Sequence, residues 1–390
     1  MNGHKARLVV MCFVTVLVFS AYACHAYAQP GELPPPSVSA RAAVLMEWQT
    51  GTILFEQKAF TRMYPASLTK MMTALLALER GRLEHMIQVS GEAASQPGSS
   101  MELRAGDKFT LQDLLYGLML NSGNDAAWAI AEHIGNGSAD EFFVLMNQRA
   151  KEIGAINTRF QNPHGLSDVN HYTTAFDLAL IARTCLRHPY FKSLVATKEK
   201  DVIEAERNVV LSLYNTNRLL WLDPGVDGVK TGTTQAAGQC LVASATKDGM
   251  RLLAVVLDSD DRWYDASQLL NFGFENYRLD KIARAGTTIV TLPALNSTEK
   301  YVPIICARDL HACVPRKSPE VDVKINLPRS IKAPCPLGTI VGQATLCLSD
   351  QAVGYSDLIT GVWVLPRTPW RLMARLALSI AIRFRHMGLI

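Results

Sequence analysis

Between residues 41 and 57 two short apolar runs, RAAVLMEW and TILFEQ, flank the turn-forming Gln49-Thr50-Gly51, which predicts a β-hairpin. The period then changes. In YPASLTKMMTALLALE, residues 64–79, Met71, Ala74, Leu75 and Leu78 recur at helical spacing behind Pro65, predicting a helix from about Ser67. Helical patterning dominates from about Leu111 to Arg187, with Gly- and Asn-containing breaks. Strand-like runs return at Val226–Thr233, Cys240–Thr246 and Arg251–Asp258, and a helix follows from about Trp263 to Asn276. The last two strands meet across Lys247-Asp248-Gly249. This order predicts an α/β (α+β) fold: an antiparallel sheet sandwiched by helices, with a helical subdomain, and not a doubly wound parallel sheet.

From about Ala285 the runs TIVTLPA, VDVKINL and IVGQATLCL are short, alternating and broken by Pro and Gly, which predicts a small C-terminal β domain over 284–365. The last stretch, 368–390, is different again. On a helical wheel Met373, Leu376, Ile380, Phe384 and Met387 share one face, with Arg371, Arg375, Arg383 and His386 opposite. Arginine every few residues excludes a spanning helix and predicts a basic amphipathic helix lying on a membrane surface. A terminal helix docked on the core is the plainer reading.

Charge adds to this picture. The chain of 390 residues carries +4 overall, too little to argue for nucleic acid. Five arginines and no acid follow Asp357, and Lys5 and Arg7 add two charges near the start, so the span between is about −3. Lys5 and Arg7 precede an apolar stretch to about Tyr22 and then Ala26-Tyr27-Ala28, the pattern of a secretory signal over 1–28. A proline-rich leader, 29–37, comes next. Cleavage would leave six of the eight cysteines. Cys306, Cys313, Cys335 and Cys347 fall within about forty residues without C-x-x-C spacing, so in an exported chain structural disulfides are expected over a zinc site, with the pairing open.

Candidate chemistry starts at Ser67 and Lys70, three apart on the predicted helix and so on one face. A lysine beside a hydroxyl can be a base beside a nucleophile, or a solvating lysine beside a capping serine. Ser-x-x-Lys occurs three times in the chain and is weak alone. Two further motifs follow in order: Ser122-Gly123-Asn124 after an apolar helix, and Lys230-Thr231-Gly232 at the end of a strand. Each alone is an ordinary loop or turn. His164 and His171 are too loosely spaced for a metal pair, and His164 is expected to shape a loop. No metal or cofactor is expected, and no G-x-S-x-G occurs.

The three motifs in this order resemble penicillin-binding proteins. ASLTKMMTALLALE, GSSMELRAGDKFTLQDLLYGLMLNSGNDAA, NPHGL, NTNRLLW and GVDGVKTGTTQAAGQCLVASA are similar to the low-molecular-mass members that are D-alanyl-D-alanine carboxypeptidases. The resemblance covers about residues 37–277 and implies a catalytic domain over 38–278. It implies Ser67 as nucleophile, Lys70 as its base and Ser122 as proton relay to the leaving D-alanine. Asn124 would hold the substrate amide and the lysine. Lys230 and Thr231 would meet the substrate carboxylate, Gly232 would be a further substrate-binding residue, and the backbone N–H of Ser67 and Thr233 would form an oxyanion hole. Arg262 aligns with an arginine used on that carboxylate. Its plain alternative is a surface arginine paired with a nearby aspartate.

The implied partners are peptidoglycan stem peptides ending in D-Ala-D-Ala, β-lactams as covalent inhibitors, and a membrane surface outside the cytoplasm. A DD-endopeptidase, a transpeptidase, a β-lactamase or a non-catalytic wall-binding protein remain alternatives. The β-lactamase lacks its usual E-x-x-L-N segment.

Overall fold

A computed structural model describes residues 34–368 and 370. The expected signal 1–28, most of the leader 29–37 and nearly all of the expected tail helix 368–390 lie outside the described residues.

The first domain is built on a five-stranded sheet. Strands β1 (Ala42–Glu47) and β2 (Ile53–Gln57) form the expected hairpin. Strands β3 (Val226–Thr234), β4 (Gly238–Lys247) and β5 (Met250–Ser259) complete it in the spatial order β2-β1-β5-β4-β3, all antiparallel. Every residue of β1 is buried, because the sheet is covered on both faces. The period of two sorts its residues: Ala42, Val44 and Met46 face one core, Ala43 and Leu45 the other. The first core is shared with the helices α1 (Lys70–Arg80), α2 (Leu111–Met119), α3 (Asn124–Ile134), α4 (Ala139–Ile153) and α5 (Ala175–Cys185). The second is closed by α6 (Arg262–Asn276), whose Ala266, Leu269 and Leu270 pack on β4 and β5. The mixed α/β architecture with an antiparallel sheet is the expected one.

Two features depart from the sequence reading. Ser67 lies in a 3-10 turn, Ala66–Thr69, and α1 proper begins at Lys70. A hairpin of Glu199–Ile203 and Val210–Tyr214 also stands on the helical side, unpredicted.

The second domain is all β. A two-stranded ribbon pairs β6 (Tyr277–Ala283) with β9 (Leu310–Pro315). A six-stranded sheet runs in the order β10-β12-β13-β8-β7-β11, made of β7 (Thr288–Leu295), β8 (Tyr301–Cys306), β10 (Asp322–Asn326), β11 (Ile331–Lys332), β12 (Ile340–Leu348) and β13 (Gln351–Thr360). Here the expected disulfides are not formed. Cys306, Cys313, Cys335 and Cys347 are all free and buried. Cys306 and Cys335 pack in this domain's core, whereas Cys313 joins the core that α6 closes on the first domain's sheet, each as a small apolar side chain.

Candidate active site

The turn carrying Ser67 is held in an unusual shape. Ala66 has φ +48°, a left-handed conformation that non-glycine residues rarely adopt. Two neighbours enforce it. A Cβ on Gly165 would lie 1.8 Å from the Ala66 carbonyl oxygen, and one on Gly232 would lie 3.0 Å from the Ser67 nitrogen and 3.2 Å from the Pro65 oxygen. The loop bearing Gly165 and the edge strand β3 therefore press on the turn from two sides. β3 lies at the end of the sheet, and no strand of the described residues pairs along its outer edge.

Lys70 is fully buried beside this turn. Its Nζ lies 2.6 Å from Asn124 Oδ1, 3.0 Å from the His164 carbonyl oxygen and 3.0 Å from Ser67 Oγ. A neutral amine has two N–H groups and one lone pair. The two acceptors take the hydrogens, which leaves the lone pair for the Ser67 hydroxyl. The protonation state fits. Burial, helped by the charge of Lys230, pushes the Lys70 pKa well below its ordinary value, against a smaller opposing pull from Asp125.

Ser122-Gly123-Asn124 turns into α3. Ser122 is buried with φ +62°. Asn124 Nδ2 donates to the Pro97 carbonyl at 2.5 Å while Oδ1 accepts from Lys70. The middle residue is glycine for a local reason: a Cβ there would lie 2.6 Å from Asp125 Oδ1. Asp125 is buried and collects the backbone N–H groups of Met101, Leu103 and Ala126 and the Ser100 hydroxyl. It pins the 97–103 loop against the motif. Sequence reasoning missed it, because an acid in the first turn of a helix reads as an ordinary dipole partner.

Lys230 is buried on β3, and its Nζ has no hydrogen-bond partner among the described residues. Burial and then Arg262 lower its pKa to about 7. A buried cation aimed at no carboxylate is costly unless a ligand supplies one. Thr231 is buried, its Oγ1 2.7 Å from Thr216 Oγ1 in the NTNRLLW segment, and Asn217 Nδ2 donates to the Gly228 carbonyl at 3.0 Å. Arg262 reaches the end of β3 and not an aspartate: Nη1 donates to the Gly232 carbonyl at 2.9 Å and to Thr233 Oγ1 at 2.7 Å. Thr233 is exposed, and Arg262 Nε is buried with no hydrogen-bond partner among the described residues. The structure thus gathers Ser67, Lys70 and Asn124 by direct contact. Gly232, Thr233 and Arg262 are joined to them through the packing of β3 on the Ser67 turn.

His164 and His171 bind no metal-like cluster among the described residues. Both are buried fasteners of the 160–171 loop. Gln161 N–H donates to His171 Nδ1 at 3.2 Å, so Nε2 carries the proton and donates to Thr69 Oγ1 at 2.9 Å. Leu166 N–H donates to His164 Nδ1 at 3.2 Å, and His164 Nε2 donates to Gln96 Oε1 at 3.1 Å.

Residues 29–261 match the D-alanyl-D-alanine carboxypeptidase family of peptidases. The chain belongs to that family. Residues 277–364 match the C-terminal domain of penicillin-binding protein 5. Among curated relatives, the D-alanyl-D-alanine carboxypeptidase DacF of Bacillus subtilis is 36% identical over 82% of this chain and 84% of that protein. Penicillin-binding protein 5 of Haemophilus influenzae superposes with a TM-score of 0.76 at 32% identity, covering 85% of this chain and 99% of the other. The Streptomyces K15 DD-transpeptidase matches 62% of this chain and all of its own, with TM-score 0.60 and 33% identity.

Proposed function

We propose that this chain is a serine-type D-Ala-D-Ala carboxypeptidase that removes the terminal D-alanine of peptidoglycan stem peptides through an acyl-enzyme. The observation that carries the mechanism is the buried Lys70 amine, its pKa held well below the ordinary value, 3.0 Å from Ser67 Oγ and within hydrogen-bond distance of Asn124 Oδ1 and the His164 carbonyl. Lys70 takes the Ser67 proton as Oγ attacks the carbonyl carbon of the penultimate D-alanine. The backbone N–H groups of Ser67 and Thr233 stabilise the oxyanion. Ser122 passes the proton to the leaving D-alanine nitrogen. Water then attacks the ester and Ser67 regains its proton.

Lys230, Thr231 and the Arg262-braced Thr233 receive the terminal carboxylate. That pairing would satisfy the buried Lys230 charge. The substrate backbone would pair along the outer edge of β3, where no strand of the described residues lies. A β-lactam presents the same carboxylate and a strained amide. Its leaving nitrogen stays tethered, so the acyl-enzyme persists and the enzyme is inhibited.

The test is D-alanine release from a peptide ending in D-Ala-D-Ala, measured beside Ser67→Ala. Release that falls by about 10⁴-fold or more in the variant supports the reading. A folded wild-type protein that releases none sinks it. The likeness to a DD-transpeptidase favours one second reading, with an amine in place of water as acyl acceptor. Adding an acceptor amine and looking for the transpeptidation product separates the two.

Four further assignments complete the proposal: a signal over 1–28, a leader over 29–37, a catalytic domain over 38–278 and a β domain over 284–365. The basic sequence 368–390 would rest on the outer face of the cytoplasmic membrane. It supports this reading by its arginines and its lack of acids. No helix of the described residues is long and apolar enough to cross a membrane.

A further inference from the structure

The six-stranded sheet of the β domain has two unlike ends. At one end, β8 finishes at Cys306 and turns through Arg308, whose charge acts on Arg183 of the catalytic domain. Glu47 of β1 likewise acts on His311 and Cys313 in β9. This end faces the catalytic domain.

The opposite end collects large apolar side chains in water. β8 begins there with Tyr301, across from Pro293 near the end of β7, and β7 closes with Leu295. The chain beyond β13 crosses the same end: Ser297 bridges Pro366, and Arg367 N–H donates to the Asn296 carbonyl at 2.8 Å. Tyr301 is 63% exposed, Trp363 58% and Leu295 50%. One exposed apolar residue needs no explanation, but a rim of them does.

The polar neighbours narrow what could cover this rim. Lys300 precedes Tyr301, Lys332 pairs in register with Leu295, and Arg367 follows Leu365 by two positions. Glu299 is the acid in the same turn. Tyr and Trp mixed with Lys and Arg is the composition of a membrane-water interface, where amphipathic rings sit at headgroup level and cations meet anionic lipid. The sequence that leaves this end at Arg367 carries four more arginines and no acid.

We propose that this rim is itself a membrane-contact surface, seating Tyr301 and Trp363 among the headgroups of an anionic bilayer. The β domain would then stand on the membrane at a fixed contact, and not swing on its tail. The proposal rests on the reading of 368–390 as membrane-associated, and adds a second contact that this reading does not need.

The test uses the full chain from residue 29 and vesicles of phosphatidylcholine with a minority of phosphatidylglycerol. Partitioning is compared between wild type, Tyr301→Glu/Trp363→Glu, and a control, Ile203→Glu/Val210→Glu, on the exposed hairpin of the catalytic domain. Thermal melts and catalytic activity confirm that all three fold. Rim substitutions that weaken partitioning by about tenfold or more, with the control unchanged, support the proposal. Equal partitioning of all three overturns it while leaving the tail reading intact. Tighter partitioning of the rim variant also overturns it, because the rim would then be holding the tail away from lipid. A wild type that binds no vesicles defeats the tail reading and the rim with it.

Discussion

The catalytic domain and the β domain treat buried polarity in opposite ways. Under the catalytic sheet and its helices lie Lys70, Lys230, Asp125, His164 and His171, all buried. In the β-domain sheet the buried polar side chains are Ser356 and Thr360, and the core is otherwise apolar. Both domains bury enough apolar surface to fold. Among the described residues, only the first holds buried cationic nitrogens without a hydrogen-bond partner and a non-glycine residue at positive φ beside a reactive hydroxyl. The difference teaches where stability has been traded for a prepared site.

Replacing Lys230 should break that trade most visibly. Its charge has no partner to lose, so Lys230→Met removes only a desolvation cost. The variant should lose about 10²-fold or more in kcat/KM, through lost grip on the substrate carboxylate. It should also gain about 1–4 kcal/mol in stability. The pH dependence carries the sign. The folded pKa of about 7 lies below the unfolded value, so the unfolded chain holds the extra proton between them. Wild-type stability should therefore rise from about pH 7 towards the ordinary lysine pKa of ~10.4, and the variant should lose that rise. Urea unfolding across pH reads both effects, and a destabilised Lys230→Met would contradict the comparison.

Gly232→Ala is a smaller and more local break. Its Cβ would sit 3.0 Å from the Ser67 nitrogen, so the turn must shift by a few tenths of an ångström. A loss in kcat of about tenfold is expected, with the melting temperature nearly unchanged. An unaltered kcat would mean that β3 does not set the oxyanion geometry.

The sequence showed unequal parts of this. The strands expected at Cys240–Thr246 and Arg251–Asp258 are found at Gly238–Lys247 and Met250–Ser259, because central strands buried on both faces leave continuous apolar runs. The Glu199–Ile203/Val210–Tyr214 hairpin was illegible. Only Val202 and Leu213 of it are buried, too few to set a period of two. The motif residues could be read because their side chains carry chemistry. The His164 carbonyl that orients Lys70 could not, since any residue supplies a carbonyl. Nor could Gly165, whose partner Ala66 is near only in space. The four late cysteines were misread because number and compartment say nothing about which core each side chain enters.

The two histidines of the 160–171 loop sharpen the comparison by acid. Burial holds His164 down at about 3 and His171 at about 4, so both stay neutral in the folded protein. The unfolded chain takes up protons below about 6.5 and the folded chain does not, so stability falls as pH drops from about 6.5 towards about 4. The loss should be on the order of a few kcal/mol. His171→Asn, which cannot titrate, should be less stable at neutral pH and flatter below it. Equal acid slopes for the two proteins would take His171 out of the account.

The smallest expected effect concerns the β domain, and it is an absence. With Cys306, Cys313, Cys335 and Cys347 unpaired, reductant has no bond to cut. The melting temperature of protein refolded under oxidising conditions should match that of protein kept reduced. A native disulfide would instead contribute about 2–5 kcal/mol, which reductant would remove. Burial also pushes the Cys313 thiol far above its ordinary pKa and raises that of Cys306, so little thiolate is present to start exchange. These cysteines should resist an alkylating agent in the folded protein and react only on unfolding. Thiol modification at neutral pH would place them in accessible positions and would remove the contrast between a quiet β-domain core and a reactive catalytic one.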